Sequence, residues 1–469
     1  MLQLKYLNIA LLALSTLSMS GVYAGSLQSM TDEQLSATTG QALMSLTYIA
    51  PTDVTNLESQ RAGGDKNMGF YKLGLEANIE INANIKKLQL GCGGTNGVGG
   101  CDIDIDNFSL SGIVDETSDT KANRESRVAS DATLTNPFLQ FAIKNPNQAS
   151  TREIKGIRLS AENALAMLTF GTENTNTPNG INAMSGYMKI AAQGCNASMA
   201  ATNPAGCAGI ATVNGRNMSK ADTGKNMTGR VNVDLLGIGI RNYEASNYNV
   251  TLDKTTAPFS TNETVVYGNR LTSVPVTGTA YIQPMNFSQK GLSIVIKEAI
   301  LGADLNMSKD ITGTIQGLQA DLSMNESLGY VHKVKVNSPF SLSLQNDTVY
   351  WPGMAAPALK GWWMAFDDPV DVGKLTPSNS LDVPNSVLAD AMGPQGCSDG
   401  NASGINCALY KHYNEGGAMA YCSGLSCLGG SLAIGTVNLP NTKVPFALDP
   451  IKLAGQDFVP NCYGSLKFC

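Results

Sequence analysis

Three aspartates at alternate positions, Asp102, Asp104 and Asp106, follow a glycine-rich stretch bounded by Cys92 and Cys101, in GCGGTNGVGGCDIDIDNFSLSG. Carboxylates at this spacing begin a calcium loop, and cysteines so placed serve as metal ligands or as disulfide partners. The helix-loop-helix calcium pattern fails further along, because Asn107 stands at its glycine position and Ile113 at its glutamate position. In a strand the three acids share one face, with Ile103 and Ile105 on the other. Two readings follow: an amphipathic strand with its acidic face in water, which is favoured, and a weak calcium site on a sheet face.

The three tryptophans, Trp351, Trp362 and Trp363, all lie within YWPGMAAPALKGWWMAFDDP. Rings grouped in this way suit a sugar or an apolar ligand, but their large burial energy favours packing in a core. His332, in the alternating GYVHKVKV, reads as an ordinary surface or sheet residue. His412 lies near Glu415 and between Cys407 and Cys422, but no nucleophile motif accompanies it: Gly-x-Ser-x-Gly, His-Glu-x-x-His and a phosphate-cradling glycine loop are all missing. The expectation is a protein that is not an enzyme and uses no cofactor.

The ten cysteines fall as near neighbours, Cys92 with Cys101, Cys195 with Cys207, Cys397 with Cys407, Cys422 with Cys427 and Cys462 with Cys469. Each pair brackets a short stretch of small, turn-forming residues, which suits disulfide-stapled hairpins better than zinc, whose ligand spacings are tighter and more regular. An oxidising compartment agrees with MLQLKYLNIALLALSTLSMSGVYA, which has a basic start, an apolar run and a small-residue cut after Ala24. That run is too short and too early to span a membrane, and no later segment supplies the roughly 20 apolar residues required. A net charge of −6 with no basic run gives nucleic acid nothing to hold.

Only 15% of residues are charged and 6% aromatic, amid abundant Gly, Asn, Ser and Thr, a composition of strands joined by turns. YKLGLEANIEINANIKKLQL alternates Leu73, Leu75, Ala77, Ile79, Ile81, Ala83 and Ile85 with mostly polar neighbours, the period of one long half-buried strand. A short helix is expected in SMTDEQLSATTGQA, and another with Ser160 as cap, Ala161 to Leu168 as body and Gly171 near its stop. MSGYMKI, MTGRVNV, VTGTAYI and ITGTIQG repeat a glycine that reads as a bend or bulge at strand entry. The predicted fold is mainly β, a large, mostly antiparallel twisted sheet or sandwich with one or two short helices. Its expected divisions are a signal at 1–24, a recognition or capping segment at 25–50, a main β domain at 51–350 and Cys-rich loops or a subdomain at 351–469.

MTDEQLSATTGQA, and LQLGCGGTNGVGGCDIDIDNFSLSG followed by PFLQFAIKNPNQASTREIKGIRLSAENALAMLTFG, resemble the Fil-type proteins of gamma-proteobacteria, exported proteins of a pilus system. The resemblance covers the N-terminal 170 residues and implies a cell-surface or pilus-associated role with no catalytic residues. The expected function is that of a structural or adhesive protein at the outer membrane, the cell surface or in the periplasm. Its partners would be other pilus or surface-assembly proteins, joined by strand addition at exposed sheet edges. Two alternatives stay open: a binder of lipid or hydrocarbon on the inner face of a curved sheet lined by the Leu73 to Ile85 series, and a carbohydrate-binding protein using the tryptophans. An integral outer-membrane barrel is disfavoured by the lack of aromatic girdles.

Overall fold

The computed structural model describes residues 44–113, 130–171, 179–234, 237–371, 375–377, 379–391, 420–423, 430–447 and 452–453. The expected signal, the helix near residue 31, and His412 with Glu415 lie outside these. The first strands are β1 (Met44–Ile49), β2 (Met68–Leu75), β3 (Asn78–Ile81), β4 (Ala83–Leu90), β5 (Ile103–Ser111), β6 (Ala132–Lys144), β7 (Glu153–Thr169) and β8 (Ile181–Ile190). They are followed by β9 (Gly209–Val213), β10 (Arg216–Ser219), β11 (Met227–Asp234), β12 (Gly239–Ala245), β13 (Asn249–Leu252), β14 (Thr255–Thr261), β15 (Thr264–Leu271) and β16 (Ser273–Tyr281). The chain continues through β17 (Met285–Ile300), β18 (Ala303–Ser327), β19 (Lys333–Val336), β20 (Phe340–Gln345) and β21 (Gly361–Val370). It closes with β22 (Leu375–Thr376), β23 (Ala420–Ser423), β24 (Ser431–Ala447) and β25 (Lys452–Leu453). Among the described residues four short helices accompany the strands: α1 (Leu57–Gln60), α2 (Ala197–Thr202), α3 (Lys220–Thr223) and α4 (Asn385–Ala391). None is long and apolar enough to cross a membrane.

The strands form two large sheets and a two-stranded one. The first runs β1-β2-β6-β7-β20-β21-β8-β5-β4, with β3 beside β6, β19 beside β7 and β15 beside β8. The second runs β10-β13-β17-β12-β11-β23-β24-β18-β16-β14-β9, and a further pairing of β17 with β18 closes six of its strands into a ring. Three pairings are parallel, β8 with β21, β11 with β23 and β18 with β24; the other strand registers described are antiparallel. The two large sheets share one apolar core, to which Ile103, Ile105, Ala164, Ala166 and Leu168 come from the first and Val231, Ile294, Ile311 and Leu432 from the second. Strands from beyond residue 350 enter both sheets, β21 the first and β23 and β24 the second.

Three expectations are corrected. The helix read at 161–168 is part of the 17-residue strand β7. Ala, Glu, Leu and Met favour helix locally, but β6 pairs along one edge of β7 while β20 and β19 pair along the other, and this pairing overrides the preference. The single strand expected across 71–90 is broken into β2, β3 and β4 at residues 76–77 and at Asn82, and Leu73, Ile81 and Ile85 of that series are exposed and line no inner face. The repeated glycines sit within strands and not at their entries. A Cβ on Gly229 or Gly313 would come within 3 Å of the ring of its cross-strand partner, Tyr243 or Phe287. One on Gly186 or Gly278 would meet the carbonyl oxygen of Met364 or Ser260. These four glycines are sites of close approach, a role that any Cβ would spoil.

Candidate binding surface

Cross-strand registers bring sequence-distant residues into rows, because directly opposed residues share a face and lie about 5 Å apart. Across five strands of the first sheet, Lys72 opposes Gln140, Gln140 opposes Arg158, Arg158 opposes Ser343 and Ser343 opposes Trp363. The neighbouring row on the same face holds Gly74, Phe138, Ser160, Ser341 and Ala365. Gln140, Arg158, Ser160, Ser341, Ser343 and Gln345 are all buried. The opposite face carries a row of Tyr71, Phe141, Ile157, Leu344 and Trp362, beside a second of Leu73, Leu139, Leu159, Leu342 and Met364. Met364 is buried in the main core, but outward along the rows Leu73 and Leu159 are 40% and 56% exposed, and Leu344 is exposed too. In this part of the sheet the usual polarity is inverted, with polar side chains inside and apolar ones outside.

The polar layer is roofed by residues 346–360, a loop pinched shut by hydrogen bonds between Val349 and Ala358, 2.9 Å each way. Trp351 hangs from it into the layer, fully buried against Phe70, with its Nε1 donating to Gln345 Oε1 at 3.3 Å. The Arg158 guanidinium lies between the rings of Phe138 and Trp351, 5.4 and 5.5 Å from their centroids, and its Nη2 donates to the Pro352 carbonyl at 3.1 Å. Burial pushes this guanidinium down to about 10, partly offset by the charge of Asp367. Burial raises Asp367 above the ordinary carboxylate range, as does neighbouring Asp368, against the pull of Lys189 and Arg158. Buried Glu58 of α1 ties the roof down: it accepts from Tyr350 N at 2.7 Å and Asp65 N at 2.9 Å and pairs with Arg61. Trp363 is also buried and meets Tyr267 edge-on. Trp351 and Trp363 are thus packing residues, while Trp362 is half-buried at the end of the outer aromatic row.

The aspartates divide as well. Asp102 is buried between Gly91 and Gly361, where a Cβ on either glycine would come within 2.6 Å of its carboxylate. It accepts from Trp362 N at 3.0 Å and Asn96 Nδ2 at 2.8 Å, and so fastens the Cys92–Cys101 hairpin to β21. The acidic face expected in water is in fact neutralised: Lys87 Nζ lies 2.5 Å from Asp104 and 2.9 Å from Asp106, and Asn182 Nδ2 donates to both. Desolvation raises Asp104, but hydrogen bonds from Lys87, Gln89 and Asn182 outweigh it and hold the carboxyl below its usual range. Lys87, Asp104 and Asp106 thus form an ion cluster across β4 and β5. Among the described residues no group of three or more His, Cys, Asp and Glu side chains is placed to hold a metal.

Cys92 with Cys101 and Cys195 with Cys207 lie at disulfide distance, their Cα atoms 3.9 and 4.8 Å apart. The other three expected pairs involve residues outside the described ones. His332, read as a surface or sheet residue, is fully buried, with Nδ1 2.7 Å from the Phe170 carbonyl oxygen. On the second sheet, Asn286, Ser288, Thr312, Thr314, Thr436 and Asp253 line an open groove of about 410 Å³. Its hydroxyls and amides lack an exposed ring for a sugar to stack on, since Phe287 below is buried. No protein-family model matches the chain, and neither a curated protein nor a solved structure does.

Proposed function

We propose that this is an exported structural or adhesive protein of the bacterial cell surface, working as part of a pilus or a related surface assembly through the apolar outer face of its first sheet. The observation that carries the reading is the inverted polarity of that sheet. A surface of leucines and aromatics continuous with the core is what a soluble domain covers unless a partner does so. The export signal, the cysteine pairs at disulfide distance and the Fil-type resemblance support the location. Strand addition at β1, an uncharged MSLTYI strand that ends the first sheet's order among the described residues, would supply a second kind of contact. A binder of lipid or hydrocarbon is the second reading, favoured by the same apolar face.

Protease shaving of intact cells, with mass-spectrometric identification of peptides and a periplasmic protein as leakage control, tests the location. Release of peptides from this chain while the control stays intact is the expected result. Protection until the outer membrane is opened would overturn the surface role and leave the periplasmic binder.

A further inference from the structure

We infer that the buried polar layer of the first sheet is a binding site for a small monovalent anion of chloride's size, held by Arg158 and Ser343 beneath the 346–360 loop. The site lies on the inner face of the sheet, and the inference does not depend on where the protein works.

Three side chains that follow one another across the strands carry polar atoms with no partner in the protein: Gln140 Oε1 on β6, Arg158 Nε on β7 and Ser343 Oγ on β20. All three residues are at most 4% exposed. Buried polar atoms are nearly always bonded, so three in one row call for an occupant that bonds them. Arg158 and Ser343 are directly opposed and about 5 Å apart at their Cβ atoms, so one small species reaches both.

Charge decides what that species is. A guanidinium taken out of water is ordinarily paired with an acid. Arg158 has no ion pair: its contacts are the ring faces of Phe138 and Trp351 and the Pro352 carbonyl oxygen, which carry only partial negative charge. Asp367, on the same face of β21 two residues past Ala365, acts on Arg158 only from a distance, and Lys189 draws on the same carboxylate. A water molecule would bond Nε and Oγ but leave the positive charge unbalanced, whereas an anion accepts from both and balances it. Gln140 joins as a donor with its amide turned over, an exchange of O and N that keeps the side chain's shape. The roof limits size, because Trp351 lies over the guanidinium and Pro352 is bonded to it. The short Ser343 side chain leaves space for a single-atom ion and not for a sulfate or a sugar.

The test is thermal melting of the full exported chain at fixed ionic strength, with chloride replacing gluconate, an anion too large for the layer, over about 1 to about 300 mM. Wild type should melt about 3–6 °C higher at saturating chloride. Ser343→Ala should need about tenfold more chloride for the same effect, and Arg158→Met should show none. A chain of net charge −6 gathers no general atmosphere of anions, so a chloride effect reports a site. Equal melting in the two salts overturns the inference, as does a chloride effect that either variant retains at the wild-type midpoint. Where Arg158→Met fails to fold, Ser343→Ala and diffraction decide: wild-type crystals grown in bromide should show an anomalous peak within hydrogen-bond reach of Arg158 Nε and Ser343 Oγ. A water there without anomalous signal overturns the inference, and a bromide peak without any chloride effect in solution means an adventitious ion only and overturns it too.

Discussion

Replacing Trp351 by alanine separates a structural ring from a ligand platform. Burying a tryptophan this completely and then truncating it costs about 3–5 kcal/mol. Losing one wall of the Arg158 sandwich adds about 0.5–2 kcal/mol, and the hydrogen bond to Gln345 about 1 kcal/mol. These losses share neighbours and do not simply add, so the expected cost is about 4–6 kcal/mol, a large part of a domain's usual 5–15. The assay is urea unfolding followed by far-ultraviolet circular dichroism, which does not depend on the tryptophan removed, with the midpoint falling at an unchanged slope. Trp362→Ala, which removes a half-buried ring, should cost no more than about 2 kcal/mol. Pairing Trp351→Ala with Arg158→Met in a double-mutant cycle isolates the cation–ring contribution, expected at about 0.5–2 kcal/mol. A Trp351→Ala cost under about 1 kcal/mol, or one no larger than that of Trp362→Ala, would refute the packing argument and return Trp351 to the ligand-binding candidates.

Gly229→Ala and Gly313→Ala should each destabilise by about 1–3 kcal/mol through overpacking, read as a lowered urea midpoint; changes below about 0.5 kcal/mol would mean that Tyr243 and Phe287 can move aside. Asp367 holds its proton to a higher pH when folded than when unfolded, so stability should fall as pH rises from the ordinary carboxylate range to the raised value and level off above it. Asp367→Asn should flatten that part of a melting-temperature profile and leave the protein more stable at neutral pH. Because Lys87 fills the space between Asp104 and Asp106, calcium and chelator should leave the melting temperature unchanged, and an upward shift with calcium would reopen the metal reading. Replacing Cys92 and Cys101 with serine should cost about 2–3 kcal/mol by loop entropy, read against wild type in urea under non-reducing conditions.

Fold class was legible because period-two alternation and a composition poor in charge and rich in turn residues both mark strands. The error at β7 has an identifiable source. Its Ser-Ala-Glu-Asn-Ala-Leu-Ala-Met-Leu segment is helix-prone, and the partners that overrule it come from β6 on one side and from more than 150 residues later on the other. The candidate surface was half legible. FLQFAIK, GIRLS and FSLSLQ each show two unlike faces, but alternation does not say which face points inward. Convention would bury Leu159 and Leu344; the arrangement buries Arg158 because a loop carrying Trp351 and Pro352 supplies it with a ring and a carbonyl. The link from Asp102 to Trp362 spans 260 residues and leaves no local trace. The glycine repeat was visible as a pattern, but its meaning lay in the partners' rings and carbonyls.

The ring in the second sheet has a consequence for how the chain becomes a folded protein. β18 pairs along one edge with its sequence neighbours β16 and β17, contacts available as soon as the segment emerges. Its other edge waits for β24, where Asp310 meets Ser431 across more than a hundred intervening residues. Parallel, long-range closure of this kind is slow, since the entropy of the loop must be overcome before any bond repays it. Until the last tenth of the chain has been delivered, a strand of 25 residues offers an open backbone edge to any neighbour. The vulnerable interval for this protein is therefore the time before β24 is in place, and a chain cut short before Ser431 should be a substrate for chaperones and proteases and not a shorter working version of itself.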